Sequence, residues 1–250
     1  RKKRTIIHAA LAGFLLSACS HGILAIAIQL YKKGASIGSV ITFLLASPWA
    51  NLPITILLFG FFGFKALYFI LGAILVATIT GYIFTILENN NLIEQSKQPE
   101  ITQDYHWENI KHFNFKESIK GVTRGTVNLA NMLLWWIIIG FLIAAIIKTW
   151  VPHDWLMNYF GPDFMGLLLT LGIATVIEVC SEGSSPIAFE IYDTIGTLGN
   201  PFVFLMAGVV TDYTEIGLLW SNIGRRTAIW LPIIAVPQVL CLGYLFNIFL

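Results

Sequence analysis

Apolar stretches of helical length alternate along this chain with short polar interruptions, and the interruptions carry most of the information. Residues 5–18 are apolar over about fourteen positions, or roughly 21 Å of helix, too short for a hydrocarbon core of about 30 Å. A polar break at 19–22 follows, then a second short helix over 23–31 that ends at Lys32, Lys33 and Gly34. Residues 36–63 are long enough to cross but are interrupted at 47–53, where Pro48 and Pro53 remove backbone donors and disfavour helix just before them. Residues 66–87 predict an ordinary spanning helix. Beyond a polar stretch at 88–126, residues 127–148 predict another, and 155–160 form a short amphipathic piece. An apolar run at 164–179 then leads into a second break at 180–183, followed by a short helix at 186–192. A crossing at 199–223, interrupted at 211–215, and a final span at 227–249 complete the pattern. None of these stretches alternates with period two, so the spans are helices and not barrel strands.

The two breaks are copies. At a constant offset of 161, residues 19–46 and 180–207 share ten identities, among them Cys19/Cys180, Ser20/Ser181, Gly22/Gly183, Tyr31/Tyr192 and Gly38/Gly199. A period that long is no solenoid unit. It marks an internal duplication, with residues 1–87 as a first repeat, 88–126 as a linker and 127–250 as a second repeat.

Composition then sets the class. Hydrophobic residues make up 56% and charged residues 12%, where soluble domains carry about a quarter charged. With a mean hydropathy of +0.75 this is an integral membrane protein. Three cysteines without a secreted-type framework argue against disulfide stapling. The basic start, Arg1–Arg4, resembles a signal peptide, but the run behind it continues through a motif repeated later and is read as mature protein.

The net charge of +1 says little, whereas the positions of the charges decide the topology. If the short pieces around each break turn back as a re-entrant hairpin, thirteen of the fifteen basic residues fall on one side, leaving Lys65 and Lys148 opposite. If the pieces run straight through, the basic residues divide between the two sides. The hairpin assignment makes the Arg1 end and the linker cytoplasmic and the two repeats inverted, as in many secondary transporters. The expected fold is therefore all-α and integral to the membrane: two inverted repeats, each with a re-entrant helical hairpin and a broken transmembrane helix, joined by a cytoplasmic linker. Only the second repeat has a span ahead of its hairpin, so a further helix upstream of Arg1 is expected.

Re-entrant backbone at membrane depth must be buried in protein or line a wet cavity. The small residues Ser20, Gly22, Ser181, Gly183 and Ser184 permit a tight turn and leave backbone groups free for a ligand. The short helices behind them point N-termini at the midplane, which favours an anion or an electronegative ligand. Cys19 and Cys180 are either a soft ligand pair for a metalloid or two small packing residues. His21 and Glu182 stand at equivalent positions, and intramembrane ionisable groups usually serve a pathway or proton relay, the alternative being a structural hydrogen bond or ion pair between the halves. Glu178 lies one turn before Glu182, and two carboxyls so close would raise each other's proton affinity, so Glu178, Glu182 and His21 are candidates for proton coupling. Asn51 aligns with Asp212, each in the interruption of the following span. They either coordinate the substrate or satisfy freed backbone groups. Whether any metal is bound is left open.

The paired motifs support a resemblance. Cys-Ser-x-Gly at 19–22, Leu-Tyr-Lys-Lys-Gly-Ala-Ser at 30–36, Phe-Leu-Leu-Ala-Ser-Pro at 43–48 and Glu-Val-Cys-Ser-Glu-Gly-Ser-Ser-Pro-Ile-Ala at 178–188 resemble the bacterial and archaeal predicted-permease family that includes organoarsenical efflux permeases. The resemblance implies a polytopic permease, with some members exporting thiol-reactive trivalent arsenicals. His21 stands where the family pattern often has a second cysteine, and Ala25 where the second motif has Pro186.

No Walker loop, dinucleotide fingerprint or HExxH is present, so no cofactor and no nucleic-acid partner are expected. The expected partners are the lipid bilayer and a small-molecule or ion substrate, with homo-oligomerisation open. The expected function is a secondary permease of the cell membrane, moving a thiophilic metalloid or an anion outward, driven by protons or by the substrate gradient, through a site at the two hairpins. The alternative is a membrane-embedded thiol enzyme using Cys19, Cys180 and His21.

Overall fold

The computed structural model describes residues 2–16, 20–95, 123, 134–135, 137–146, 149–150, 159–177 and 181–249, with residues 2–4, 20 and 21 described by backbone alone. Among them every regular element is helical. An N-terminal set comprises α1 (Lys2–Leu15), α2 (Ser20–Lys32), α3 (Ile37–Ala46), a 3-10 turn (Ser47–Ala50), α4 (Leu52–Phe62) and α5 (Ala66–Asn89). Helix α6 (Ile137–Ile146) follows. A C-terminal set comprises α7 (Phe164–Ile177), α8 (Ser181–Ile195), α9 (Gly199–Val210), α10 (Tyr213–Asn222) and α11 (Arg225–Phe249).

Most boundaries follow from local chemistry. Ser47-Pro48 ends α3, because proline cannot donate in the next turn, and Asn51 adopts extended backbone (φ −61°, ψ 130°) before α4 restarts with Pro53 in its first turn. The 3-10 turn Gly63–Lys65 joins α4 to α5, and Gly63 has the left-handed φ of +57° that glycine tolerates best. The short helices begin earlier than the composition of the motifs predicts. Ser20, Gly22, Ser181, Gly183 and Ser184 are not an irregular turn but the opening residues of α2 and α8, a position where serine is at home. Residues 17–19 and 178–180 lie outside the described residues.

Corresponding helices in the two sets start at nearly constant spacing: Ser20 and Ser181, Leu52 and Tyr213, Ile37 and Gly199, Ala66 and Arg225. Their packing corresponds as well. In the first set α3 packs on α1, α2 and α5, and α5 also on α1 and α4; in the second α9 packs on α7, α8 and α11, and α11 also on α7 and α10. The contacts between the sets are reciprocal: α4 meets α8, α10 meets α2, and α5 meets α11. Glycine brings the backbones together at equivalent crossings. A Cβ on Gly38 would overlap Thr85 and Gly81, and one on Gly199 would overlap Gly243 and Asn247. In lipid such close small-residue packing, and not apolar burial, holds helices together. Gly140 of α6 lies against the Gly183 carbonyl in the same way, seating α6 on the start of α8.

Among the described residues, three helical stretches suffice by length and composition to cross a membrane: Leu52–Asn89, Gly199–Asn222 and Arg225–Phe249. Phe164–Ile177, Ile37–Ala50, Thr5–Leu15, Gly22–Lys32 and Ile137–Ile146 are apolar but shorter. Exposed Leu, Ile and Phe side chains on α1, α5, α7 and α11 are the faces that lipid would cover.

Candidate functional site

Glu182 is the second residue of α8 and is only 1% exposed, among the buried Ser181, Gly183, Ser184 and Ser185. A carboxyl at such depth needs donors. One comes from the other helix set: Asn51 Nδ2 donates to Glu182 Oε1 at 2.8 Å. The Ser181 hydroxyl makes a longer contact to Oε2, at 3.4 Å. Pro186 lacks the N–H that would bond the Glu182 carbonyl, so the backbone at this turn is itself short of a donor. The Asn51–Glu182 bond lies where α4 packs on α8 and ties the break of one helix set to the motif of the other.

The equivalent residues behave differently. Asp212 is 5% exposed and caps α10, accepting from the N–H groups of Thr214 (2.8 Å) and Glu215 (3.0 Å) and from the Thr214 hydroxyl (2.6 Å). Asn51 holds the matching cap position of α4 but makes no side-chain cap bond there. The Thr211 and Thr175 hydroxyls share a hydrogen bond of 2.7 Å, closing the second break against α7. Glu215, 1% exposed, sits in the first turn of α10.

Thus the structure brings Asn51, Ser181 and Glu182 together, with Gly183 and Ser184 buried beside them, and uses Asp212 as a helix cap. Gly22 lies in the first turn of α2 with its surface exposed. Ser20 and His21 open α2, and their side chains lie outside the described residues, as do Cys19, Glu178 and Cys180 altogether. Cys241 is exposed on α11. Among the described residues no group of three His, Cys, Asp or Glu side chains is placed to hold a metal ion.

Two further contacts tie the ends of the short helices. Lys65 Nζ, in the turn between α4 and α5, donates to Tyr192 OH at 2.8 Å and stands 5.3 Å from the ring centre. The equivalent Tyr31 OH donates to the Gln95 carbonyl at 3.1 Å. The neighbouring Glu94 caps α11, accepting from Arg226 N–H, Thr227 N–H and the Thr227 hydroxyl at 2.8–2.9 Å. Burial pushes the Glu94 carboxyl up, but these donors outweigh it and hold the group below the usual carboxylate range. Glu94 and Trp49, discussed below, carry no motif. Each is recognisable only once distant segments meet.

Known proteins supply the remaining constraint. A family model described as a predicted permease matches residues 1–248. The UPF0718 protein YcgR of Bacillus subtilis is 26% identical over 224 residues, covering 88% of this chain and 74% of that protein. A UPF0718 protein of Methanocaldococcus jannaschii is 24% identical over 270 residues, covering 94% and 73%. A Streptococcus mutans protein named "Putative two-component membrane permease complex subunit" is 23% identical over 220 residues, covering 86% and 70%. No solved structure matches the chain.

Proposed function

Since the chain belongs to the predicted-permease family, and so is a multi-pass membrane permease and not an enzyme, we propose that it is a secondary transporter whose solute binds where Asn51 meets Glu182. The hydrogen bond between half-buried Asn51 and buried Glu182 is the observation that carries the proposal. It joins the discontinuity of one helix set to the motif of the other at a contact that must change if the sets move.

Alternating access needs two similar bodies around one site. The ten identities at offset 161, the matched packing inside each set and the reciprocal contacts between sets support reading α1–α5 and α7–α11 as inverted repeats, with residues 88–126 as the connector. The clustering of basic residues supports a cytoplasmic Arg1 end and connector. In this reading the two Cys-Ser-x-Gly segments are re-entrant hairpins, Cys19 and Cys180 are available as soft ligands for a thiophilic solute, and Glu182, Glu178 and His21 handle the coupled proton. The contact of α2 with α10 is the counterpart of the contact of α8 with α4 and extends the same scheme to the second break. The name of the Streptococcus mutans relative supports a second subunit as a partner.

Uptake of trivalent arsenicals, soft metal ions and oxyanions into proteoliposomes tests the proposal. A saturable, pH-dependent flux of one class that Glu182→Gln lowers about tenfold is expected. Flux through Glu182→Gln equal to that of the native chain, at every pH, refutes it.

A further inference from the structure

We propose that the turn Ser47–Ala50 and the start of α4 bind a small oxyacid, charged or uncharged, with the Trp49 indole N–H and the Ser47 hydroxyl donating to its oxygens. The inference rests on the permease reading above and gives that site its ligand chemistry.

Three observations converge. Trp49 and Ser47 are both 0% exposed, and neither Trp49 Nε1 nor Ser47 Oγ has a hydrogen-bond partner. Indole N–H can only donate, so what satisfies Trp49 must bring an acceptor, and buried donors are rarely left unpaired. Second, α4 is an eleven-residue helix whose cap residue, Asn51, directs its amide to Glu182 and forms no side-chain cap bond. The positive end of that helix, two residues beyond Trp49, is left for another acceptor.

Third, the other helix set shows what such an acceptor looks like. There Asp212 puts a carboxylate oxygen on the N–H groups of Thr214 and Glu215. Their counterparts at offset 161 are Pro53, which has no N–H, and Ile54. The first break has thus lost the built-in carboxylate and one backbone donor, and it has gained an indole donor and a hydroxyl. The second break has Gly208 and Val210 where the first has Ser47 and Trp49, so the extra donors belong to one side only. The turn is enclosed by α1, α2, α3, α4 and α5, and Trp49 Cα lies within about 7.6 Å of Asn51 Cα by chain geometry alone. The turn that carries both donors therefore adjoins the Asn51–Glu182 contact along the chain.

The test is the indole N–H resonance of Trp49 in the full chain in nanodiscs, labelled with [15N-indole]tryptophan and assigned by Trp49→Phe. The titrants are acetate and phosphate as charged probes and boric acid as an uncharged one. A saturable shift of that resonance with at least one probe is expected, with half-saturation raised about tenfold in Ser47→Ala. No saturable shift with any of the three, a resonance held by an ordered water, overturns the inference. Binding of a probe, read by calorimetry, that survives Trp49→Phe but is lost in Glu182→Gln overturns it while leaving the permease site standing. Binding unchanged in both variants removes the inference and that site together.

Discussion

At the first interruption the cap residue of α4, Asn51, reaches out of its own helix to Glu182, and two buried donors beside it stay unpaired. At the second, the cap residue of α10, Asp212, turns back onto its own N–H groups, and the Thr211 and Thr175 hydroxyls pair with each other. The two breaks occupy matching places in the duplicated sequence, so a shared backbone solution has been put to two uses. One break is a closed structural joint, and the other sends its cap side chain across to the opposite helix set. A duplicated scaffold can differentiate in this way because the cap position tolerates either use: Asn and Asp cap equally well, and only the side chain's destination differs.

Substitutions that convert one break toward the other probe this contrast. The largest effect is expected for Glu182→Ala, which leaves the half-buried Asn51 amide without its acceptor. Transport should fall by roughly 10- to 100-fold, from the 1.5–3 kcal/mol typical of a hydrogen bond to a charged group, with the folded fraction in detergent preserved. Asn51→Asp makes the first break resemble the second and sets two carboxylates face to face. It should lower stability at neutral pH by about 1–3 kcal/mol, read as a fall in melting temperature of the purified protein. Asp212→Ala should behave as a lost helix cap, costing about 1 kcal/mol of stability and much less transport than Glu182→Ala. A larger transport defect at Asp212 than at Glu182 would invert the assignment of structural and functional breaks.

The smallest effect concerns Glu94, remote from both breaks. Its carboxyl titrates lower in the folded protein than in the unfolded chain, so its capping bonds stabilise fully above the unfolded value of about 4.3. That contribution fades as pH falls through the lower folded value. Glu94→Gln should therefore reduce stability by up to about 1 kcal/mol at pH 7, and the difference from the native chain should vanish in strong acid, as followed by thermal melts across pH.

Much of the fold was legible because it is written in local chemistry. Pro48, Gly63 and Gly196 mark where helices stop and Pro53 where one restarts, and the offset of 161 allows boundaries seen in one set to be read in the other. The starts of α2 and α8 were not legible. Ser and Gly suit a turn and a helix N-terminus alike, and local sequence does not choose between them. At the site, aligning the repeats sets Asn51 beside Asp212 and Glu182 beside His21, which identifies equivalent places but not touching ones. The Asn51–Glu182 bond spans 131 residues and joins non-equivalent places, so it emerges only from the packing of α4 on α8. Trp49 is hidden for another reason: an aromatic residue in an apolar stretch looks like core, and its unpaired N–H is visible only when its surroundings are known.

The central claim, that Asn51 and Glu182 act as one unit across the two helix sets, is tested most directly by a double-mutant cycle of Asn51→Ala and Glu182→Ala on solute flux into proteoliposomes. The account predicts that the double variant is little worse than Glu182→Ala alone, a coupling of about 1 kcal/mol or more. Additive losses, with each substitution acting as though the other residue were absent, would contradict it.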